Sequence, residues 1–237
     1  MLILGIDTAT DQVGCAVGGY EGVLAACRSA RGRRHAESLA PAIRTVTEQA
    51  GVSLQELRAI AVDVGPGLFT GLRVGLATGI TMAQTLAIPM LGISSLDLLA
   101  WSVRFTDRLI AAVVDARRGE VFYALYRPVP GGVQRVVGPV VAPPDELLGE
   151  LTARGDECLL VGDGAIRHAD LFGRLDRGIM AGLGNAHPSP TALVDLAHHR
   201  ALREEFVAPH EIEPIYLRDP DAVANWATRV DDTGSAP

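Results

Sequence analysis

Lysine is absent from this chain: all 21 of its basic residues are arginine, among 237 residues in total. A Schiff base, a lysine nucleophile and the phosphate-binding lysine of a Walker loop are therefore excluded. Aromatic residues are also scarce, at 5% of the chain, while hydrophobic residues make up 48%. Aliphatic side chains must therefore fill a core that is large enough for one large or two small domains.

Cysteine and histidine are too few and too scattered to predict a metal site. Cys15, Cys27 and Cys158 are odd in number and far apart, so the sequence predicts reduced thiols rather than disulfides or zinc ligands. His198 and His199 are adjacent, and neighbours on a helix point in different directions, so they cannot chelate one ion as an i, i+4 pair would. The remaining histidines have no partner at a useful spacing.

A net positive charge and a long apolar run are missing as well. The formal charge is −7 and the pI is about 5.3, which argues against a protein that binds nucleic acid by itself. Polar residues and a proline interrupt the longest apolar region, Leu72 to Leu91, so no membrane span is predicted. Met1 is followed at once by an apolar strand without the basic leader of a signal peptide, so a cytoplasmic location is expected. One basic cluster, Arg28 to Arg34, is predicted to be a solvated loop unless a partner completes a binding surface.

What the chain does contain is a glycine loop, Gly65 to Arg73, between an apolar strand pattern and a helix pattern. Backbone N–H groups at a helix N-terminus attract anions, so a phosphate cradle is one interpretation. The loop has neither the lysine of a Walker motif nor the glycine spacing of the dinucleotide fingerprint. A tight turn capped by Thr70 is the other interpretation, and the sequence leaves both open.

The helix after this loop has small residues at every fourth position: Gly71, Gly75, Gly79 and Ala83. Residues four apart lie on one face, and each glycine inside a helix costs about 1 kcal/mol relative to alanine. Such a flat face indicates that another element approaches closely. That element is either the chain's own sheet or a helix of a partner, and the sequence leaves both open.

Polar residues at predicted strand and helix ends are candidates for chemistry. Asp7 ends the first strand, where an acid either faces a metal-bound phosphate or caps a turn. Asp115, Arg117 and Glu120 crowd the end of a later strand, as a site or as a polar hairpin. Ser94 or Ser95 with Asp97 would combine a nucleophile with an acid, although a helix N-cap explains either serine without chemistry.

The order of the elements predicts two lobes. Three short strands between Leu2 and Cys27 form a meander, an amphipathic helix that carries Leu39 and Ile43 follows, and the strand pattern restarts at Leu109. The expected parts are a first lobe with partner-binding helices at residues 1–104, a second lobe at 105–218, and a tail at 219–237 whose end is disordered.

Several motifs that occur in a fixed order resemble one family. They are Leu2 to Thr10, Arg34 to Glu37 opening a helix, the glycine loop, Val114 to Phe122, Val161 to Gly164 and Glu213 to Arg218. This series covers residues 1–218 and resembles the TsaB family, the bacterial partner subunits in the synthesis of threonylcarbamoyladenosine in tRNA. Leu68 departs from the family pattern, which usually has a serine at that place in the glycine loop.

The resemblance implies an α/β fold of two lobes, the actin-like, sugar kinase and heat-shock ATPase (ASKHA) architecture, in which each lobe is a mixed sheet with flanking helices. It also implies a non-catalytic subunit that supports TsaD, the subunit that transfers a threonylcarbamoyl group to the tRNA adenosine 3′ of the anticodon. The histidine-rich segment of TsaD, which holds a metal, corresponds here to Leu91 to Leu99, which contains no histidine. The implied partners are TsaD directly, TsaE and tRNA through the complex, and a second copy of the chain when it is alone.

The resemblance also suggests site residues. The first hairpin of actin-like proteins binds phosphate, so Asp7 and Thr8 are the cofactor-binding candidates, although the glycines that usually follow are missing. No catalytic residue, metal ligand or independently bound cofactor is expected, with ATP or ADP only at the interface with TsaD. A metallopeptidase-like hydrolase and a small-molecule kinase of the same fold are the alternative functions. The expected partner interface lies on the two first-lobe helices, at Leu39, Ile43, Leu72, Gly75, Leu76, Gly79 and Ala83.

Overall fold

The computed structural model describes residues 1–30 and 34–218. The predicted tail at 219–237 lies outside the described residues, as do Arg31 and Arg33 of the basic cluster. In the described part, the strands form two five-stranded mixed sheets, each flanked by helices.

The first sheet combines an antiparallel meander with two parallel strands. Its strands are β1 (Leu2–Asp7), β2 (Val13–Gly19), β3 (Gly22–Ser29), β4 (Leu57–Gly65) and β5 (Met90–Ser94). Their order across the sheet is β3-β2-β1-β4-β5, with β1 antiparallel to β2 and parallel to β4. Side chains alternate between the two faces of β1, so Leu4 and Ile6 enter one core and Ile3 enters the other.

The second sheet repeats the same arrangement. Its strands are β6 (Leu109–Arg117), β7 (Glu120–Val129), β8 (Gly132–Ala142), β9 (Cys158–Val161) and β10 (Gly178–Met180). Their order is β10-β9-β6-β7-β8, which is the order of the first sheet counted from the opposite edge. Again the first strand is antiparallel to the second and parallel to the fourth. The predicted two-lobed α/β fold class is therefore confirmed.

Helices cover both faces of the first sheet and join it to the second. They are α1 (His35–Ala50), α2 (Phe69–Leu86), α3 (Ser95–Ser102), α4 (Pro144–Arg154), α5 (Asp163–Arg167), α6 (Ala169–Phe172) and α7 (Pro190–Ala201). α1 and α2 pack on one face of the first sheet, and α3 and α7 pack on the other. α3 lies between the sheets, because Leu98 enters the first-sheet core while Leu96 and Leu99 pack against the second sheet.

The end of the described chain returns to the first sheet. α7 packs on it through Ala192 and Leu193. Beyond α7, Val207 bridges to Met90 in β5, and the backbone N–H of Ile215 donates to the carbonyl of Val64 at 2.7 Å. The sequence placed all of 105–218 in the second lobe, but α7 and the segment after it complete the core of the first. The strand and helix patterns do not predict that α7 packs on the first sheet, because this packing depends on which apolar face of the sheet the other helices leave exposed.

Candidate functional site

The glycine loop packs against the hairpin that joins β1 and β2. Leu68 donates its backbone N–H to the carbonyl oxygen of Ala9 at 2.7 Å, and a Cβ at Gly67 would lie 2.2 Å from the same oxygen. α2 begins at Phe69, with Leu68 at the N-cap position, so Thr70 lies in the first turn. The predicted cap by Thr70 is therefore wrong, and the loop is a tight turn that packs closely on the hairpin.

Asp7 and Thr8, the cofactor-binding candidates, are both buried and hydrogen-bonded within the chain. Asp7 Oδ1 accepts a hydrogen bond from the backbone N–H of Ala9 at 3.0 Å, as a turn-capping carboxylate does. Thr8 Oγ1 donates to the carbonyl of Gly71 at 2.8 Å, which ties the hairpin to α2. A role for either residue in binding a cofactor stays a prediction.

A second carboxyl group, Asp63 on β4, interacts with Asp7 in the buried end of the first sheet. Both residues are at most 2% exposed, and Oδ2 of each is buried without a hydrogen-bond partner. Burial raises the pKa of Asp63 to about 6. Burial and the charge of Asp63 together raise the pKa of Asp7 well above its ordinary value. Two carboxyl groups that interact in this way titrate as a unit, and burial together favours their protonated forms.

Sequence reasoning missed Asp63, although a signal was available. It is the single charged residue in the apolar strand pattern Ala59 to Val64. A buried charge is costly unless it is paired, protonated or hydrogen-bonded, so an acid in that position indicates a special environment. Asp63 Oδ1 accepts hydrogen bonds from the backbone N–H of Gly65 at 2.8 Å and from Ser95 Oγ at 2.7 Å.

The small-residue face of α2 lies on the chain's own first sheet. A Cβ at Gly75 would lie 2.4 Å from Thr8 Oγ1, and one at Gly79 would lie 2.6 Å from Val62 Cγ1. The glycines are therefore required by intrachain packing, and this outcome corrects the expected interface. All seven interface candidates are buried in the core: Leu39, Ile43, Leu72, Gly75, Leu76, Gly79 and Ala83.

The second lobe has a matching pair of carboxyl groups at the same strand ends. Asp163 follows β9, and its Oδ1 accepts a hydrogen bond from the backbone N–H of Asp115 in β6 at 3.0 Å. Arginines accompany this pair: Arg117 Nη1 lies 3.0 Å and Arg167 Nη1 lies 3.4 Å from Asp115 Oδ2. Burial raises the pKa of Asp163. Asp115 and Arg117, which the sequence placed together at a strand end, therefore form an ion pair in the structure.

Arg117 also joins the two lobes. Its Nη2 donates to Asp11 Oδ2, across the gap between the two hairpin tips, at 2.6 Å. The hydrogen bond to Asp11 raises the pKa of Arg117. The hairpin tip turns through left-handed backbone conformations at Arg117 and Arg118, with φ of 61° and 55°, which non-glycine residues rarely adopt.

Ser95 and Asp97 do not form a nucleophile and acid pair. Ser94 caps α3 by accepting from the backbone N–H of Leu96 at 3.3 Å, while Ser95 binds Asp63. Asp97 instead binds a tyrosine and two arginines. Across residues 1–30 and 34–218, no three or more His, Cys, Asp or Glu side chains are arranged to hold a metal ion. In the same ranges, no helix combines the length and the hydropathy needed to cross a membrane.

These observations define a class of protein: a duplicated α/β fold whose two lobes bring paired carboxyl groups to equivalent strand ends and are bridged by an arginine. Comparison with known proteins shows which family within this class the chain belongs to. The family model described as TsaD, tRNA N6-adenosine threonylcarbamoyltransferase, matches residues 28–172. The chain belongs to the TsaB (YeaZ) family of tRNA threonylcarbamoyladenosine biosynthesis proteins.

The relatives that support this assignment cover nearly the whole chain. TsaB of Bacillus subtilis is 30% identical over 228 residues, which are 95% of this chain and 98% of that protein. TsaB of Escherichia coli is 30% identical over 92% of this chain and 95% of its own length. An uncharacterised protein of Mycobacterium leprae is 36% identical over 93% of this chain, but the chain spans only 56% of that protein. YeaZ of Pseudomonas aeruginosa, a solved structure, has a TM-score of 0.80 at 27% identity, over 91% of this chain and 99% of that one. The resemblance that the motifs indicated is confirmed.

Proposed function

We propose that this chain is a non-catalytic partner subunit that supports a TsaD subunit in threonylcarbamoyl transfer to the tRNA adenosine 3′ of the anticodon. The relatives of B. subtilis and E. coli are named for the biosynthesis of this nucleoside, and the chain matches them over nearly their whole length. We propose that the chain acts in the cytoplasm, with TsaE and tRNA reached through the complex and ATP or ADP only at the interface with TsaD.

The observation that supports the non-catalytic role is that the polar groups at these strand ends are either bonded within the chain or buried. Arg117 binds both Asp11 and Asp115, and Thr8 binds the backbone of α2. The Asp7 and Asp63 carboxyl groups lie below the surface. A kinase or a hydrolase of this fold would need such groups to face a substrate.

We place the partner surface on the outward faces of α1 and α2, not on their buried faces. Both helices lie on the same side of the first sheet and contact each other. Their exposed residues include Ala36 and Ala40 on α1 and Ala77 and Thr81 on α2. Small uncharged side chains let a second pair of helices approach closely, which suits a TsaD subunit or, in its absence, a second copy of the chain.

Reconstitution tests the role and the surface together. The purified chain is combined with TsaD, TsaE, tRNA, threonine, bicarbonate, ATP and the enzyme that makes the activated adenylate, and the modified adenosine is measured by mass spectrometry. We expect product only when the chain is present. Ala77→Arg should weaken affinity for TsaD by about tenfold or more while the thermal midpoint is kept, because it places a charge in the contact.

Ala153→Arg on the exposed side of α4 is the matched control and should leave the affinity unchanged. Equal affinity of the Ala77→Arg variant and the parent chain would remove the proposed surface. The alternative functions are examined with the isolated chain, in assays of ATP hydrolysis and peptidase activity with added divalent metal. Robust turnover there would replace the proposed role with a kinase or a metallopeptidase.

A further inference from the structure

A pocket of about 420 Å³ lies between α3, the β7–β8 hairpin and the end of α7. We call it the arginine pocket, after Arg135, Arg200 and Arg203, which line it. Trp101 forms part of its wall, and the ring of His199 packs against that of Trp101, with centroids 5.4 Å apart. The volume is within the range of small-molecule sites, about 300–1,000 Å³.

The charge of this pocket is opposite to that of the chain. Three arginines line it, and Asp97 is the single carboxylate among the described residues of the lining. The chain as a whole has a formal charge of −7. A positive concavity on an acidic protein concentrates anions locally and sets the sign of the ligand it selects.

Asp97 holds two of the arginines in place. Its Oδ2 accepts a hydrogen bond from Arg200 Nη2 at 3.2 Å. Its Oδ1 accepts one from the hydroxyl of Tyr126 at 2.9 Å and another from Arg135 Nη2. Arg200 Nη1 also donates to the carbonyl of Gly92 at 2.9 Å. Burial raises the pKa of Tyr126 far above its ordinary value, so the phenol is neutral and adds no negative charge. Two guanidinium groups are thus fixed by one neutralising carboxylate, which leaves an excess of positive charge.

The third arginine lies at the rim. The side chain of Arg203 is 63% exposed, and its Nε lies 2.6 Å from Glu205 Oε1. Glu205 is also 3.9 Å from Arg200 Nε, so this one carboxylate offsets the positive charge at the rim. An arginine with an exposed face can turn its remaining donors to a ligand, and its planar fork matches the oxygens of phosphate and carboxylate groups.

We propose that the arginine pocket binds a small organic anion that carries phosphate or carboxylate groups. The fixed arginines attract the anion, Arg203 contacts it from the rim, and the exposed lining residues Val129 and Pro130 offer an apolar surface for its carbon skeleton. This site is separate from the partner surface on α1 and α2 and from the acidic strand ends, so it does not depend on the proposed function.

Isothermal titration of the full chain tests this site with two probes, pyrophosphate and citrate, which separate phosphate from carboxylate chemistry. Sodium chloride at matched ionic strength controls for general screening. Arg203→Gln should weaken binding, and Glu205→Gln should strengthen it, each by about threefold to fivefold, which is the range of one exposed charge contact. Arg127→Gln, which removes an exposed arginine paired with Asp156 outside the pocket, should leave the affinity unchanged.

Binding of either probe with these opposite shifts supports the proposal and identifies the preferred group. No binding of either probe up to about 10 mM would overturn it, since affinity weaker than that lies below the level expected of a site. Equal weakening by Arg203→Gln and Arg127→Gln would also overturn it, because the effect would then come from overall charge. Both variants change exposed side chains, so circular dichroism is expected to show an unchanged fold.

Discussion

Two carboxyl groups meet at the ends of β1 and β4 in the first lobe, and two meet at the ends of β6 and β9 in the second. Asp7 and Asp63 are buried together, and both have raised pKa values. Asp115 is buried too, but Arg117 and Arg167 bind its carboxylate. The shared topology determines where the acids meet, since adjacent parallel strands end at the same edge of a sheet. The side chains that bind these acids differ between the lobes, since arginines contact the pair in the second lobe.

In each lobe, a glycine within a helix lies very close to the backbone at the end of the lobe's first strand. In the first lobe a Cβ at Gly71 would lie 2.2 Å from the carbonyl oxygen of Thr8. In the second lobe a Cβ at Gly164 would lie 2.9 Å from the backbone N of Asp115. Both glycines lie in the helix that follows the fourth strand of the lobe, α2 or α5. The duplicated fold therefore requires a residue without a side chain at this place in each lobe.

The largest effect is expected at the close approach of α2 to the first hairpin of the first lobe. Gly71→Ala should lower the free energy of unfolding by about 3 kcal/mol or more, because the atom it would meet belongs to the backbone and cannot move aside cheaply. Urea unfolding followed by circular dichroism measures the change. Gly149→Ala in α4, where a Cβ meets nothing within 4 Å, is the control and should stabilise by up to about 1 kcal/mol. Equal stability of the two variants would show that the close approach is not a constraint.

The second prediction concerns how the free energy of unfolding depends on pH through the first acid pair. The pKa of Asp63 is about 6 in the folded chain against an ordinary 3.8, so folding binds a proton. The stability linked to this proton is complete below about pH 4 and is lost as the pH rises to about 6. Asp63→Asn should remove that loss and raise the free energy of unfolding at pH 7 by on the order of 2 kcal/mol. The amide oxygen can still accept from Gly65 and Ser95, while its N–H₂ donates towards Asp7.

Asp115→Asn is the mirror variant in the second lobe and should act in the opposite direction. It leaves Arg117 and Arg167 without the carboxylate between them, so we expect a loss of about 1–2 kcal/mol at pH 7. Urea unfolding between pH 4.5 and 8 is compared for both variants and the parent chain. Parallel pH curves for Asp63→Asn and the parent would contradict the assignment of a proton to the first pair.

The sequence predicted the parts of this molecule that depend on local pattern. Alternating apolar residues and turn residues gave the two lobes, and the ordered motifs gave the family. The glycine stripe was recognised as a close contact, but spacing alone could not say whether Val62 or a partner side chain fills it. The return of α7 to the first sheet was missed because it depends on residues far apart in the chain. Asp63 was missed although a charged residue within an apolar strand pattern is a local signal. The bridge from Arg117 to Asp11 joins positions 106 residues apart, which no local signal encodes.

The smallest effect is expected at the bridge itself, where the lobes touch through exposed side chains. Arg117 and Asp11 are 42% and 43% exposed, so Arg117→Gln should lower the free energy of unfolding by no more than about 1 kcal/mol. Its effect should instead be on motion: hydrogen exchange should rise at both hairpin tips, residues 8–12 and 115–120, because the lobes separate more often. Arg127→Gln removes the same charge from a bridge to Asp156 within the second lobe and should leave the first hairpin unchanged. If exchange in residues 8–12 is the same in both variants, the lobes are held together by α3 and its apolar contacts alone, and Arg117 serves only the acid pair of its own lobe.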